Sequence, residues 1–466
     1  MSIDNTGLLE PQVPHVQKLV DSLYLNGIAV DLSETGCGKT YAASAVARAM
    51  NAPIVIVAPK MVLPVWEKVL KLFGLKAAIL INYEKLCRGN TNHLKYSRSK
   101  KKERWMAAKV KFPAGSFVIL DESHKCKGVN SLNAGFLIAL KRQGFRVLCL
   151  SASQATNPLE MKAFGYATNL HSIKDFKSFA ADYGAEDLGR WGAQVFNLDS
   201  KDAQNKMRKL HTNLFNLQKI ASRMTRDEMG SLFPENEIVA EAYDMGVNSK
   251  LIQAAYDRME VELIKLEEQC ANYSGNILAV ITKERRLIEM LKVPTMLEMI
   301  EDLFDEGKSI VCFVNYTETI EVLQKKLESN PKFKSKNLIG MIYGGNSVKN
   351  RLQDVDDFNA DKKRIILANL AAGGQSINLH DLIGKHGRVS IVNPSYSAIN
   401  LLQALGRIHR QGGLTKCYQR LVYASGTREE RMCYKVQYKL NNLSILNDGD
   451  LVDNMRMFKY IMGKSL

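Results

Sequence analysis

Lys39 and Thr40 close the stretch SETGCGKT (33–40), which lies between an apolar run and the helical-looking YAASAVARAM. Gly36 and Gly38 let backbone N–H groups close around phosphate oxygens at a helix N-terminus, where anions are favoured. Lys39 has the reach for β- and γ-phosphates, and the Thr40 hydroxyl can ligate Mg2+. Glu34, Thr35, Gly36, Cys37 and Gly38 complete the expected nucleotide cradle. The strict pattern has glycine where this chain has Ser33. A second stretch, VILDESH (118–124), runs from an apolar strand into two adjacent carboxylates. Asp121 at the strand end is placed to hold Mg2+, and Glu122 to orient and deprotonate an attacking water.

A third stretch is LLQALGRIHRQGG (401–413). Gln403, Arg407 and Arg410 recur at i, i+4 and i+7, so a continuous helix would carry them on one face. Leu401, Leu405 and Ile408 would anchor the other face in a core. Arginine in a preorganised site can supply roughly 10³–10⁵ in rate to phosphoryl transfer. If two lobes face each other, Arg407 and Arg410 would point at the γ-phosphate. A solvent-facing basic helix is the plain alternative.

These groups need rigid elements beneath them. GIAVDLS, PIVIVAP, FVILDES and RVLCLSAS read as strands in the first half, and SIVCFVN, LIGMIYGG, RIILANL, RVSIVNP and YQRLVY in the second. Near-continuous apolar strands separated by helices imply parallel sheets covered on both faces. Two such sets predict an α/β fold of two lobes. Between them, residues 160–306 read as mostly helical. Ile252, Tyr256, Met259, Leu263 and Leu266 form one apolar stripe. The expected division is 1–235, an ATP-binding lobe with part of the helical insertion, and 236–466, a helical segment with the C-terminal lobe. The boundary falls near Phe233 and Pro234.

At 466 residues the chain exceeds one ordinary core. With 46% hydrophobic and 24% charged residues, it has the balance of a soluble globular protein. A net charge of +16 favours a polyanionic partner, most simply nucleic acid. The eight cysteines form no CxxC pair and read as reduced, buried thiols, neither disulfides nor a zinc site. No run reaches the ~20 apolar residues that span a bilayer. The N-terminus lacks a secretory pattern, and the expected location is intracellular and soluble. The basic run KYSRSKKKERW (95–105) reads as a solvated segment before a nucleic-acid contact.

The ordered set of motifs resembles a superfamily-two helicase-type ATPase, closest to the Swi/Snf family of DNA translocases. SETGCGKT resembles motif I and LDESH motif II. IVIVAPKMVLPVWEK resembles motif Ia, and ILINYEKL is similar to the segment that follows it. LCLSASQATNPLE resembles motif III, with hydroxyls kept and the usual proline lost. IVCFVNYTETIEVL, ANLAAGGQSINLHD and QALGRIHRQGG look like motifs IV, V and VI. The match covers most of the chain and thins over 163–292.

The resemblance implies two RecA-like lobes, ATP and Mg2+ as cofactors, and a nucleic-acid track. Gln12 is the preferred adenine-recognition residue, with Gln17 its rival. Gln403 and Gly374 would add to the nucleotide site, while Ser151 and Ser153 would couple it to the track. Pro59, Lys60, Tyr83, Asn315, Tyr316, Gly373 and Ser376 would grip phosphates. Such grips read no bases, so sequence-independent binding to DNA, chiefly duplex, is expected. The alternatives are a strand-separating DNA or RNA helicase and an ATP-gated clamp without processive movement.

Overall fold

The structure is a computed structural model. It describes residues 4–34, 36–88, 91–96, 108–127, 131–152, 154–155, 158–187, 194–196, 201–268, 273–334, 337–370, 377–394 and 398–441. The chain divides into two compact units, Met1–Gly230 and Ser231–Leu466. Each is built on a six-stranded, wholly parallel sheet, and together they are two RecA-like α/β lobes.

In the first unit the strand order is 221–222, 28–31, 146–150, 117–121, 54–58 and 77–82. Side chains alternate across each strand. Ile54, Ile56 and Ala58 face a core shared with helices Gln12–Asn26, Lys39–Met50 and Leu63–Leu72. Val55 and Val57 face the opposite core, with helices Leu132–Arg142 and Lys162–Ala167. This two-sided burial explains why the strands read as continuous apolar runs.

In the second unit the order is 236–243, 417–424, 388–392, 309–314, 365–369 and 339–342. Helices Asn248–Glu268 and Tyr273–Leu291 pack against each other. Ile252, Tyr256, Met259 and Leu263 are buried, as their stripe requires, while the side chain of Leu266 lies outside the described set.

All nine expected strands form. Three further strands of the two large sheets were not expected: Ala77–Asn82, which is apolar and was missed, Ala221–Ser222, which is only two residues long, and Asn236–Tyr243, which is interrupted by polar residues; a small antiparallel pair, Leu94–Tyr96 with Ala108–Val110, was not expected either. Within 160–306 an antiparallel ribbon, Ala185–Asp187 with Gln194–Phe196, interrupts the expected helices. The seven described cysteines are free and buried. No described helix is long and apolar enough to cross a membrane. Most of the basic run 95–105 lies outside the described residues.

Candidate functional site

In the first unit the phosphate loop leaves the strand Ile28–Asp31 and enters the helix Lys39–Met50. Gly36 and Gly38 have φ of 101° and 79°, a region costly for side-chain-bearing residues. Gly38 has a second reason to be glycine: a Cβ there would stand 2.4 Å from Gln12 Nε2. Gln12, on the first helix, donates from Nε2 to the Cys37 carbonyl at 3.1 Å. Gln17 instead turns to Asp21, at 2.7 Å. The Lys39 ammonium donates to the carbonyls of Ser33 (2.6 Å) and Glu34 (3.0 Å). Thr40, half-buried, starts the helix beside it. Burial pushes the Cys37 thiol up to about 11, so it is a packed neutral group. Thr35 lies outside the described residues.

Ser33, the departure from the strict pattern, is fully buried and works as a tie. Its N–H donates to Asp31 Oδ1 at 2.8 Å, and its Oγ accepts the Met224 N–H at 3.0 Å. His15 bonds Ser222 Oγ through Nδ1 (2.8 Å), while its Nε2 lies 3.2 Å from Asp31 Oδ2. Burial alone would raise the Asp31 carboxyl; the charge and hydrogen bond of His15, with Lys39 and Ser33, hold it below the ordinary range. Glu34 accepts from Arg223 Nη2 (3.2 Å) and from the Arg226 N–H (3.3 Å). The loop is therefore stapled to residues 222–226.

Two strands away in the sheet, Phe117–Asp121 delivers Asp121 and Glu122. Glu122 has φ 53° and ψ 49°, a left-handed conformation that costs roughly 1–2 kcal/mol in a residue with a Cβ. Such strain persists where surrounding contacts over-determine it. Asp121 is 9% exposed. Its Oδ2 accepts the Trp66 indole N–H at 2.9 Å and its Oδ1 the Glu122 N–H at 2.9 Å. Burial and the adjacent Glu122 charge push its carboxyl up to about 6, against the Trp66 hydrogen bond and the Lys39 charge. Glu122 lies 3.3 Å from His124 Nδ1, and His124 Nδ1 lies 3.2 Å from Ser151 Oγ. Ser123 Oγ and the Gln154 Oε1 are 2.6 Å apart, and Gln154 Nε2 donates to the Ser123 carbonyl at 3.2 Å. The segment around Ser151 is thus tied to the acidic pair through its neighbours Ser123 and His124; Ser153 lies outside the described residues.

The expected first-unit phosphate grip changes in one member. Pro59 is buried and Lys60 exposed, at the entry to the helix that carries Trp66. Tyr83 is 1% exposed, and its hydroxyl donates to the Asp121 carbonyl at 2.9 Å. A ring so placed supports the acidic strand end and does not reach a polymer. Ring burial inside an apolar strand–helix junction outweighed the motif position.

In the second unit the helix Ala398–Leu405 stops before the two arginines, and 406–408 form a turn. The expectation of Gln403, Arg407 and Arg410 on one helical face is corrected accordingly. Gly406 is a weak helix former. His409, packed on Phe233 and bonded to the Pro234 carbonyl at 2.9 Å, holds the chain in its turn. Leu401, Leu405 and Ile408 are buried, so the apolar anchoring holds. Gln403 and Arg407 are buried as well, and Arg407 Nη1 donates to the Ile377 carbonyl at 3.2 Å. Arg410 is half-buried. Its charge, after burial, is among the causes that push His380 down to about 4. Asn315 and Tyr316 are half-buried at the end of the strand Ser309–Val314. Gly373, Gly374 and Ser376 lie outside the described residues.

Sequence reasoning gave no role to Trp66, His124, Gln154, His15, Arg223 or Arg226. Trp66, His124 and Gln154 stand inside quoted motifs; only His124, two residues from Glu122, had a sequence signal, since the Trp66 indole meets Asp121 from 55 positions away.

The description "Helicase conserved C-terminal domain" matches residues 292–412. A protein of Acanthamoeba polyphaga mimivirus, assigned as an ATP-dependent RNA helicase, is 30% identical over 462 residues, covering 94% of this chain and 83% of that protein. The chain belongs to the superfamily-two helicase-type ATPases. It is an ATP-hydrolysing enzyme of the helicase type. A Drosophila ananassae protein named DNA repair and recombination protein RAD54-like is 31% identical over 143 residues, or 30% of this chain and 17% of that protein. The Drosophila erecta protein of the same name is 30% identical over 148 residues, or 31% of this chain and 18% of that protein.

Proposed function

We propose that the chain is a nucleic-acid-dependent ATPase that moves along DNA, chiefly duplex, without reading sequence, and remodels or displaces what is bound there. The observation that carries the choice of DNA is the similarity to the RAD54-like proteins of DNA repair and recombination. In this reading Gln12 contacts the adenine, and residues 34–40 cradle the phosphates. Lys39 meets the β- and γ-phosphates. Glu122 takes the proton of the attacking water, with His124 and Ser151 tying it to the segment that senses the track. Arg407 and Arg410 are the source of positive charge for the transferred phosphoryl group, and Gln403 and Gly374 add to the nucleotide site. Lys60, Asn315, Tyr316, Gly373 and Ser376 hold phosphates, with Pro59 setting the Lys60 turn.

Thr40 and Asp121 would hold Mg2+. The donor set fits: a hydroxyl and a carboxylate next to a second carboxylate are hard oxygen groups, and Mg2+ takes one or two protein oxygens with substrate phosphates. Among the described residues no group of three His, Cys, Asp or Glu converges, which is the pattern for tighter-caged metals. When bound, the ion neutralises charge on the phosphate oxygens.

A second reading, a strand-separating helicase, is favoured by the mimivirus relative, which is named as an RNA helicase and whose similarity covers most of the chain. ATP turnover without polymer, with single strands, with duplex DNA and with RNA separates the two. Stimulation by duplex DNA, with displacement of a third strand and no unwinding of a plain duplex, supports translocation. Stimulation by RNA with strand separation supports the second reading. ATP-dependent retention on DNA without displacement would leave a clamp.

A further inference from the structure

Glu289, on the helix Tyr273–Leu291, is 1% exposed and belongs to no motif. Five donor groups converge on its carboxylate. The Asn315 N–H donates to Oε2 (2.8 Å) and Oε1 (3.1 Å), and the Tyr316 N–H to Oε1 (3.0 Å). Asn315 Nδ2 donates to Oε2 and Thr319 Oγ1 to Oε1, each at 2.8 Å. Asn393 Nδ2 donates to Oε2. Asn393 is itself oriented, because its Oδ1 accepts from Lys292 Nζ at 3.2 Å and Lys292 pairs with Glu429. Asn315 Nδ2 also reaches the Pro394 carbonyl (3.1 Å), and Asn369 Nδ2 donates to the Asn315 carbonyl (2.7 Å).

Residues 315–316 and 393–394 follow, and Asn369 ends, three strands that are neighbours in the sheet, 309–314, 388–392 and 365–369. The carboxyl ends of parallel strands are where open α/β sheets bind ligands. A buried anion is costly unless fully hydrogen-bonded, and here every donor belongs to a strand-end turn or to the start of the helix Thr317–Ser329. Facing outward from the same turn, Tyr316 is half-buried with the Arg286 guanidinium 5.5 Å from its ring centroid. Arg285 Nη2 donates to the Pro394 carbonyl at 3.1 Å.

We propose that Glu289 is the positioning residue of the second unit's nucleic-acid grip: one buried carboxylate fixes the chain after two adjacent strands, 309–314 and 388–392, as a single template for phosphates. This rests on the nucleic-acid reading above. Phosphate contacts position a protein only if their donors are held in place, and misplacement by about 1 Å costs up to about 100-fold in a preorganised site.

The test measures binding of a labelled random-sequence DNA duplex, its salt dependence, and ATP turnover against duplex concentration. Glu289→Gln keeps the shape but turns an amide donor toward the gathered donors. It should weaken duplex binding about tenfold and make the salt slope shallower by about one per lost phosphate contact. The loss should fall on KM for DNA and not on kcat. Thr319→Val, which removes one donor, should move binding in the same direction by less, and it decides the matter if Glu289→Gln does not fold. Tyr256→Phe is the control: it removes the hydroxyl bonded to Glu429 at 2.8 Å, and should lower the melting temperature without changing duplex affinity. Wild-type affinity and slope in both Glu289→Gln and Thr319→Val would overturn the proposal, as would an equal loss in Tyr256→Phe. A wild-type protein that neither binds nor responds to any polymer overturns the nucleic-acid reading and this one with it.

Discussion

Asp121 in the first unit and Glu289 in the second are both buried carboxylates, yet their surroundings are opposite. Glu289 is saturated by five donor groups. Asp121 receives the Trp66 indole and the Glu122 N–H, and a second carboxylate stands beside it. Its carboxyl is pushed up to about 6. The contrast teaches how one functional group is given two tasks. Full satisfaction makes an anion a fixed part of the scaffold, whereas partial satisfaction leaves oxygen lone pairs directed at whatever cation or proton arrives.

The largest expected effects test the reactive end of that contrast. Lys39→Ala and Glu122→Gln should each abolish ATP turnover, read as phosphate release, while circular dichroism shows an intact fold. Substantial turnover in either would mean that the chemistry is elsewhere. Next, Arg410→Ala should cut hydrolysis by about 10³-fold with polymer binding largely intact. Normal hydrolysis there would remove the arginine from the reaction. Trp66→Phe keeps the ring packing and deletes a donor to Asp121. It should lower kcat about tenfold, in the range of a lost orienting partner. Because that hydrogen bond lowers the Asp121 carboxyl, its loss should move the Asp121 titration, followed by NMR in metal-free buffer, to higher pH. An unmoved titration would make Trp66 a packing residue only.

The smallest effect concerns stability. A carboxyl raised in the folded state binds its proton more tightly folded than unfolded, so its contribution falls as pH rises from the ordinary 3.8 through about 6. In metal-free buffer, the melting temperature of Asp121→Asn relative to wild type should therefore increase across that window and level off above it. A difference independent of pH would contradict the account of Asp121.

Nine strands of the two sheets were legible because two-sided burial writes itself as unbroken runs such as Ile54–Ala58. The turn before the helix Lys39–Met50 was legible because its backbone geometry demands Gly36 and Gly38. The turn at 406–410 was not, since Leu401, Leu405 and Ile408 have helical spacing whether or not the helix continues; the stop comes from contacts of His409 with Phe233 and Pro234, over 170 residues away. Tyr83 was misplaced because a motif position says which segment matters and not which way a ring points. Glu289 left no mark at all: its partners are backbone N–H groups and asparagines scattered over a hundred residues, and no periodicity encodes them.

The ties of the phosphate loop to residues 222–226 have a mechanical side. Ser33 and Glu34 are fastened to the last stretch of the first unit, just ahead of the point where the chain passes into the second. Tension along that connecting stretch would arrive first at the loop beside Lys39, before it reached the bulk of the sheet.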